Sequence, residues 1–249
     1  MALSRPGCEP VAMCGRYASY RRDDEIARAF LVQQILTEER PPSWNVAPMQ
    51  GVRIVLERAP REEPEGDPVR ALRRVRWGLV PSWAKDPKIG SRMINARSET
   101  LTSKPSFKAA AARRRCLVPM DGYYEWQKNS DGTKTPYFLH SDGEELLAAA
   151  GLYELWPDPD LPEDDPKKWL WTATIATTSA TDALGHIHDR TPVFIPPDRY
   201  DQWLDAHLQD LDEVDGLLRA LPEPVLQARE VSPAVGAVHN NGPELITAV

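Results

Sequence analysis

Residues 51–57 read GVRIVLE, and from Val52 to Leu56 the apolar residues recur with the period of two that turns alternate side chains to one face of a strand. Further strand-like stretches follow at 72–77 (LRRVRW), 115–120 (RCLVPM), 123–127 (YYEWQ), 135–140 (TPYFLH), 146–153 (LLAAAGLY) and 170–178 (LWTATIATT). Helical signals are fewer. Residues 22–36 place Asp23, Asp24 and Glu25 where a first helical turn favours acids, with Ile26, Phe30 and Leu31 on an apolar face. Residues 197–208 and 211–221 read as two more helices, and 225–236 returns to extended chain. Strands that follow one another without an intervening helix predict an α+β protein, a mostly antiparallel β core with flanking helices rather than a βαβ alternation. Two Pro- and acid-rich stretches, 58–68 and 156–168, read as exposed loops because strand patterns resume directly after each. There is no internal repeat, and one domain is expected.

Composition narrows the class. The 249 residues are 41% hydrophobic and 27% charged, with a mean hydropathy of -0.48, which excludes a disordered chain. No apolar run approaches the roughly 20 residues of a membrane span. The first twelve residues, MALSRPGCEPVA, lack the apolar segment of a secretory signal, so a cytoplasmic protein is expected. Cys8, Cys14 and Cys116 form no CxxC pair, which argues against a disulfide framework and a zinc site alike. His186 and His188 lack the accompanying carboxylate or cysteine spacing of metal ligands, so neither a metal nor a cofactor is expected. Net charge is -7, which by itself disfavours a nucleic-acid partner. The distribution reverses that reading: residues 67–120 hold 13 Lys and Arg against Asp67, Asp86 and Glu99, a balance of +10 that suits either a solvated face or an anion-binding surface.

Six segments are too rich in Trp, Asn, Arg and Gly to be core alone: MCGRYA (13–18), PSWNVAPMQ (42–50), RWGLVPSWAKD (76–86), MINARSET (93–100), DGYYEW (121–126) and HIHDRTPVF (186–194). In this order, and continuing to VSPAVGAVHNNGPELI (231–246), they resemble the SOS response-associated peptidase (SRAP) family. The resemblance runs from Met13 nearly to the C-terminus. It implies a single mixed domain, residues 13–249, built on a twisted, barrel-like β core, acting as a monomer on single-stranded DNA that contains abasic sites. It also implies that Cys14, once N-terminal, bonds covalently to the aldehyde of the abasic sugar. Glu125 matches the family's general acid/base and His188 the histidine that assists sugar ring opening. Asn95 and Arg97 match positions that hold the sugar and phosphate. Asn45 matches a residue beside the reactive cysteine, and Arg16 adds positive charge there. Trp83 matches an aromatic wedge against bases flanking the lesion, although Ala84 stands where the family often has a second Trp.

The residue chemistry agrees with that resemblance. An N-terminal cysteine is a 1,2-aminothiol, whose amine (pKa about 8) condenses with an aldehyde and whose thiol (about 8.5) closes on the same carbon to a thiazolidine. A carboxylate and an imidazole suit the proton transfers. Arg donates two parallel hydrogen bonds to phosphate, Asn offers both donor and acceptor, and a Trp face stacks on any base. Trp44 and Trp77 read as core, and the run 113–115 (RRR) as either phosphate contact or solvated charge. Two alternatives use the same residues: a thiol peptidase acting on other proteins through Cys14, His188 and Glu125, and a non-covalent single-strand binder. The +10 segment has little use in the first, and Cys14 little in the second.

As encoded, Cys14 has no free amine. Either synthesis starts at Met13, which is then trimmed, or residues 1–12 are a propeptide that the protein cuts off itself, Cys14 attacking the preceding carbonyl with Glu125 and His188 assisting. The absence of a recognisable leader favours the first.

Overall fold

A computed structural model describes residues 14–39, 41–59, 66–180 and 186–249. The expected propeptide, Met13 and the centre of the 58–68 loop lie outside the described residues. The strands are β1 (Tyr17–Ser19), β2 (Gln34–Ile35), β3 (Ser43–Val46), β4 (Gly51–Arg58), β5 (Val69–Trp77), β6 (Asn95–Arg97), β7 (Arg115–Met120), β8 (Gly122–Lys128), β9 (Lys134–Ser141), β10 (Leu147–Pro157), β11 (Trp169–Ser179), β12 (Arg190–Pro192) and β13 (Leu226–Glu230). The helices are α1 (Asp23–Ala29), α2 (Ser98–Leu101), α3 (Lys108–Arg113), α4 (Tyr200–Leu204) and α5 (Leu211–Arg219).

Two sheets form. One runs β13-β9-β8-β1-β3 and stays open; in the other, β11, β10, β7, β4 and β5 lie side by side, and a parallel pairing of Thr172 and Ala173 with Arg76 and Trp77 returns β5 to β11. That pairing closes a five-stranded barrel. The other four junctions of the ring are antiparallel, as expected, and β6 and β12 add to β11 from outside.

Strand β4 shows how the barrel is covered. Its alternation would leave Arg53 and Val55 on a wet face, yet every residue from Val52 to Leu56 is buried. Val52, Ile54 and Leu56 fill the barrel together with Val75, Val118 and Ile175, whereas Val55 joins a second core with Leu72, Leu117 and the helical residues Ile26, Trp203 and Val214. Arg53 survives in that setting by pairing with Asp23 at 2.6 Å and donating to the carbonyls of Ser19 and Arg21, since a buried guanidinium needs its donors satisfied.

Three expectations need correction. The helix expected over 22–36 stops at Ala29: Leu31 takes a left-handed φ of 54° and is 75% exposed, and Gln34 and Ile35 leave the helix to pair in parallel with β5. Residues 197–208 supply only a 3-10 turn and the five-residue α4. In the extended segment 225–236, β13 ends at Glu230 and Pro233–Gly236 is a 3-10 turn. Pro at the first helical positions sets the required φ in both 3-10 turns.

Candidate active site

Cys14 lies at the entry to β1 and is fully buried in the barrel-side core. Both of its main-chain polar groups are held by distant side chains. Its N–H donates to Glu125 Oε1 at 2.8 Å, and its carbonyl accepts from Asn95 Nδ2 at 3.2 Å. Glu125 is carried by β8 and Asn95 by β6, which is fixed by the parallel pairing of Asn95 with Ile175 of β11. Strands from both sheets thus converge on one residue, β8 from the sheet that also holds β1 and β6 from the barrel sheet.

Glu125 is only 2% exposed. Burial pushes its pKa up to about 8, with the nearby charge of Asp189 adding to the rise and the Cys14 N–H opposing it. At neutral pH it is therefore a carboxylic acid, able to give a proton and to take one back. Burial, and secondarily the Glu125 charge, raises the Cys14 thiol well above the ordinary value. The thiol is held protonated.

His188 enters from the segment before β12. Its Nδ1 lies 3.1 Å from the Arg190 N–H, 3.3 Å from the Arg190 carbonyl and 3.2 Å from the exposed Asp189 carboxylate, so it faces both a donor and acceptors. Arg190 holds this segment by bonding both Glu99 oxygens and the Thr177 carbonyl. His188, Glu125, Tyr123 and Thr191 line one crevice of about 10 Å³, room for about one water. Sequence reasoning did not single out Tyr123. It sits two residues before Glu125 on β8, hence on the same face, and its hydroxyl meets Thr191 Oγ1 at 2.9 Å.

Arg16, just before β1, and Asn45, on the neighbouring β3, both meet the C-terminal segment. Asn45 is buried, and its amide donates to the carbonyls of Val235, Ala237 and Asn240. Arg16 bonds Asn45 Oδ1 and the Val235 and Gly236 carbonyls. Together they clamp the C-terminal segment onto β1 and β3. Of the RRR run, Arg115 is buried against the carbonyls of Trp203, Ala111 and Asp205, and Arg114 pairs with Glu154. Trp77 is core and donates its indole N–H to Ile94, while Trp44 is half-buried and stacks on Tyr20.

Trp83 is 60% exposed on a loop that also exposes Lys85, Lys88 and Arg92 around one open depression. Two glycines seat this loop. Gly78 has φ 122°, and a Cβ on it would meet the Gly90 carbonyl oxygen at 2.6 Å; one on Gly90 would meet the Gly78 oxygen at 2.5 Å. Only two glycines allow that approach. Ala84 is buried against Trp156, whose N–H donates to the Ala84 carbonyl at 2.7 Å. Arg97 is exposed at the end of β6, two residues beyond Asn95. Among the described residues, no group of three or more His, Cys, Asp or Glu side chains is arranged to hold a metal ion, and no helix is long and apolar enough to cross a membrane.

Comparison with known proteins places these features in context. The model of the SOS response-associated peptidase family matches residues 13–238. A Bacillus subtilis protein named abasic site processing protein YoqW is 40% identical over 94% of this chain and 99% of its own length. The chicken (Gallus gallus) abasic site processing protein HMCES is 31% identical, matching 95% of this chain and 78% of its own. Among solved structures, a Bacteroides thetaiotaomicron protein shares the fold with a TM-score of 0.77 over 95% of this chain and all of that one, at 21% identity. A phage-related protein from Bordetella bronchiseptica superposes with a TM-score of 0.64 at 27% identity, covering 88% of this chain and 94% of that one.

Proposed function

This chain belongs to the SOS response-associated peptidase family, and from that premise we propose that it processes abasic sites in DNA by capturing them covalently on Cys14. The observation that carries the proposal is the 2.8 Å contact between the Cys14 nitrogen and Glu125, a carboxyl whose pKa burial raises. That nitrogen becomes the α-amine once the preceding residues are gone. The amine adds to the C1′ aldehyde of the ring-opened sugar, Glu125 protonates the departing hydroxyl, and water leaves as the imine forms. The Cys14 thiol then adds to the imine carbon and gives its proton to the nitrogen, closing the thiazolidine. His188, on the wall of the same crevice as Glu125, is suited to the ring opening that frees the aldehyde. Asn95 fixes Cys14 through its carbonyl while this happens.

The same contact suits removal of the preceding residues. The Cys14 thiol attacks the Met13 carbonyl, Glu125 gives its proton to the Cys14 nitrogen as the amide bond breaks and takes up the proton that the thiol loses, and water hydrolyses the thioester, releasing the N-terminal fragment as a carboxylic acid and restoring the thiol. Trp83, Lys85, Lys88, Arg92 and Arg97 supply the stacking face and cations that a single strand requires. The crevice beside Glu125 is too small for a deoxyribose, so capture requires it to widen. Residues 1–12 left in place leave the protein latent.

Replacing the thiol while keeping the amine tests the order of steps. A chain beginning at residue 14 with Cys14→Ser is expected to yield an adduct with an abasic oligonucleotide on denaturing gels only after borohydride reduction, because the imine forms but the thiazolidine does not. A stable adduct without reduction in that variant removes the thiol from the mechanism. No trapped species at all removes the amine.

A further inference from the structure

The barrel has a second end. Inward-facing positions of a small barrel are ordinarily filled by apolar side chains, and on β5 Ala71 and Val75 obey this. Arg73, between them, shares their face, as Arg58 shares that of Leu56 on β4. Both arginines reach the same indole: the Arg73 guanidinium lies 3.8 Å from the centre of the Trp171 ring and that of Arg58 5.5 Å away. Trp171 is backed by Tyr153, stacked at 5.5 Å. Trp169, two residues earlier on β11 and 45% exposed, stands on the same side. These residues border an open cavity of about 680 Å³, with Leu155 and Pro166 on its wall.

What marks the described lining of the cavity is the want of negative charge. Elsewhere on the same two strands, arginines meet carboxylates: Arg53 pairs with Asp23, and Arg70 with Glu57 and Asp201. Among the described residues, neither Arg58 nor Arg73 has a carboxylate partner, and no Asp or Glu lines the cavity. Burial and the neighbouring Arg58 charge both lower the Arg73 pKa, as two cations facing each other without an anion should. Barrel mouths are common ligand sites, and a ligand here needs an anion for the guanidinium pair and a flat apolar part for the exposed indole.

We propose that this mouth binds a nucleotide, its phosphate between Arg58 and Arg73 and its base on Trp169. The site is separate from that of Cys14. Asn95 and Thr191 approach β11 at Ile175 and Thr178, six or more residues from Trp169, which is about 20 Å along a strand.

The test is titration of the purified protein with a deoxynucleoside monophosphate, the corresponding nucleoside, inorganic phosphate and a lesion-free oligothymidylate, read by calorimetry and tryptophan fluorescence. The monophosphate is expected to bind more tightly than the nucleoside or phosphate and to quench fluorescence. Arg58→Gln and Arg73→Gln should each weaken it about tenfold, the loss of a charge-assisted hydrogen bond. Trp169→Ala should weaken the monophosphate while sparing phosphate. All three variants should still capture abasic DNA, which certifies their fold independently. A monophosphate that binds no better than its nucleoside, or that binds the arginine variants as it binds the parent, overturns the proposal. If the oligothymidylate also loses affinity in the arginine variants, the nucleotide belongs to a DNA strand; if only the monophosphate does, it is a free nucleotide.

Discussion

Cys14 and Cys116 occupy the same core and are equally buried, yet their surroundings differ in kind. Cys116 is the second residue of β7 and lies against Gly151, where even a Cβ would approach its sulfur to 2.9 Å, and burial alone raises its thiol pKa. Its main chain pairs with Gly151 in the sheet ladder, and its carbonyl also accepts the Trp203 indole N–H at 2.8 Å, so among the described residues no carboxyl meets its backbone. Cys14 precedes a strand, so its N–H and carbonyl are not committed to a ladder and are taken by Glu125 and Asn95 instead. Burial is therefore common to both thiols, and what sets Cys14 apart is the carboxyl that meets its nitrogen.

The sharpest break in that comparison is substitution of each cysteine. Cys14→Ala should abolish covalent capture of abasic DNA on denaturing gels, whereas Cys116→Ala should retain it and lose about 1 kcal/mol of stability in urea unfolding. Capture lost in Cys116→Ala with the fold intact would erase the distinction. Next in size is Glu125→Gln, expected to slow adduct formation by about 10²- to 10⁴-fold in a single-turnover assay. The same variant carries a pH signature. Because the folded pKa of about 8 exceeds the unfolded carboxyl value, the native state binds more protons between them, so stability falls as pH rises from about 4.5 through 8. Glu125→Gln should lack that part of the slope in denaturant titrations.

Smaller effects separate binding from chemistry. Trp83→Ala should cost about 1–3 kcal/mol of single-strand affinity by fluorescence anisotropy, with the capture rate at saturating DNA unchanged. Asn95→Ala removes one hydrogen bond to Cys14, worth about 1 kcal/mol, and should slow capture about fivefold while leaving DNA affinity alone. A larger loss of affinity than of rate would assign Asn95 to the DNA rather than to Cys14.

The long strands are legible in the sequence because β4, β10 and β11 are rich in apolar or β-branched residues over eight to eleven positions, and β5 sets Ala71, Leu72, Val75 and Trp77 among its arginines. Strands β1, β2, β6 and β12 have two or three residues each, too few for any period to show. Closure of the barrel rests on pairing between Arg76–Trp77 and Thr172–Ala173, a contact between segments almost a hundred residues apart that local pattern does not encode. At the site, residue types and their order point to Cys14, Glu125, Asn95 and His188, and the first three do converge. The placement of Arg16 and Asn45 is not legible, because a polar side chain in a motif does not disclose which way it faces; theirs turn to the carbonyls of the C-terminal segment. Tyr123 is within reach of sequence reasoning through its spacing to Glu125 alone.

The central claim is that Cys14 acts as an N-terminal aminothiol, and intact mass measures it most directly. The protein would be incubated with a single-stranded oligonucleotide bearing one abasic site, then denatured and weighed. The account predicts a species at the mass of the oligonucleotide plus the chain beginning at Cys14, less one water. An adduct that retains Met13, or a chain beginning at Cys14 that forms none, would contradict it.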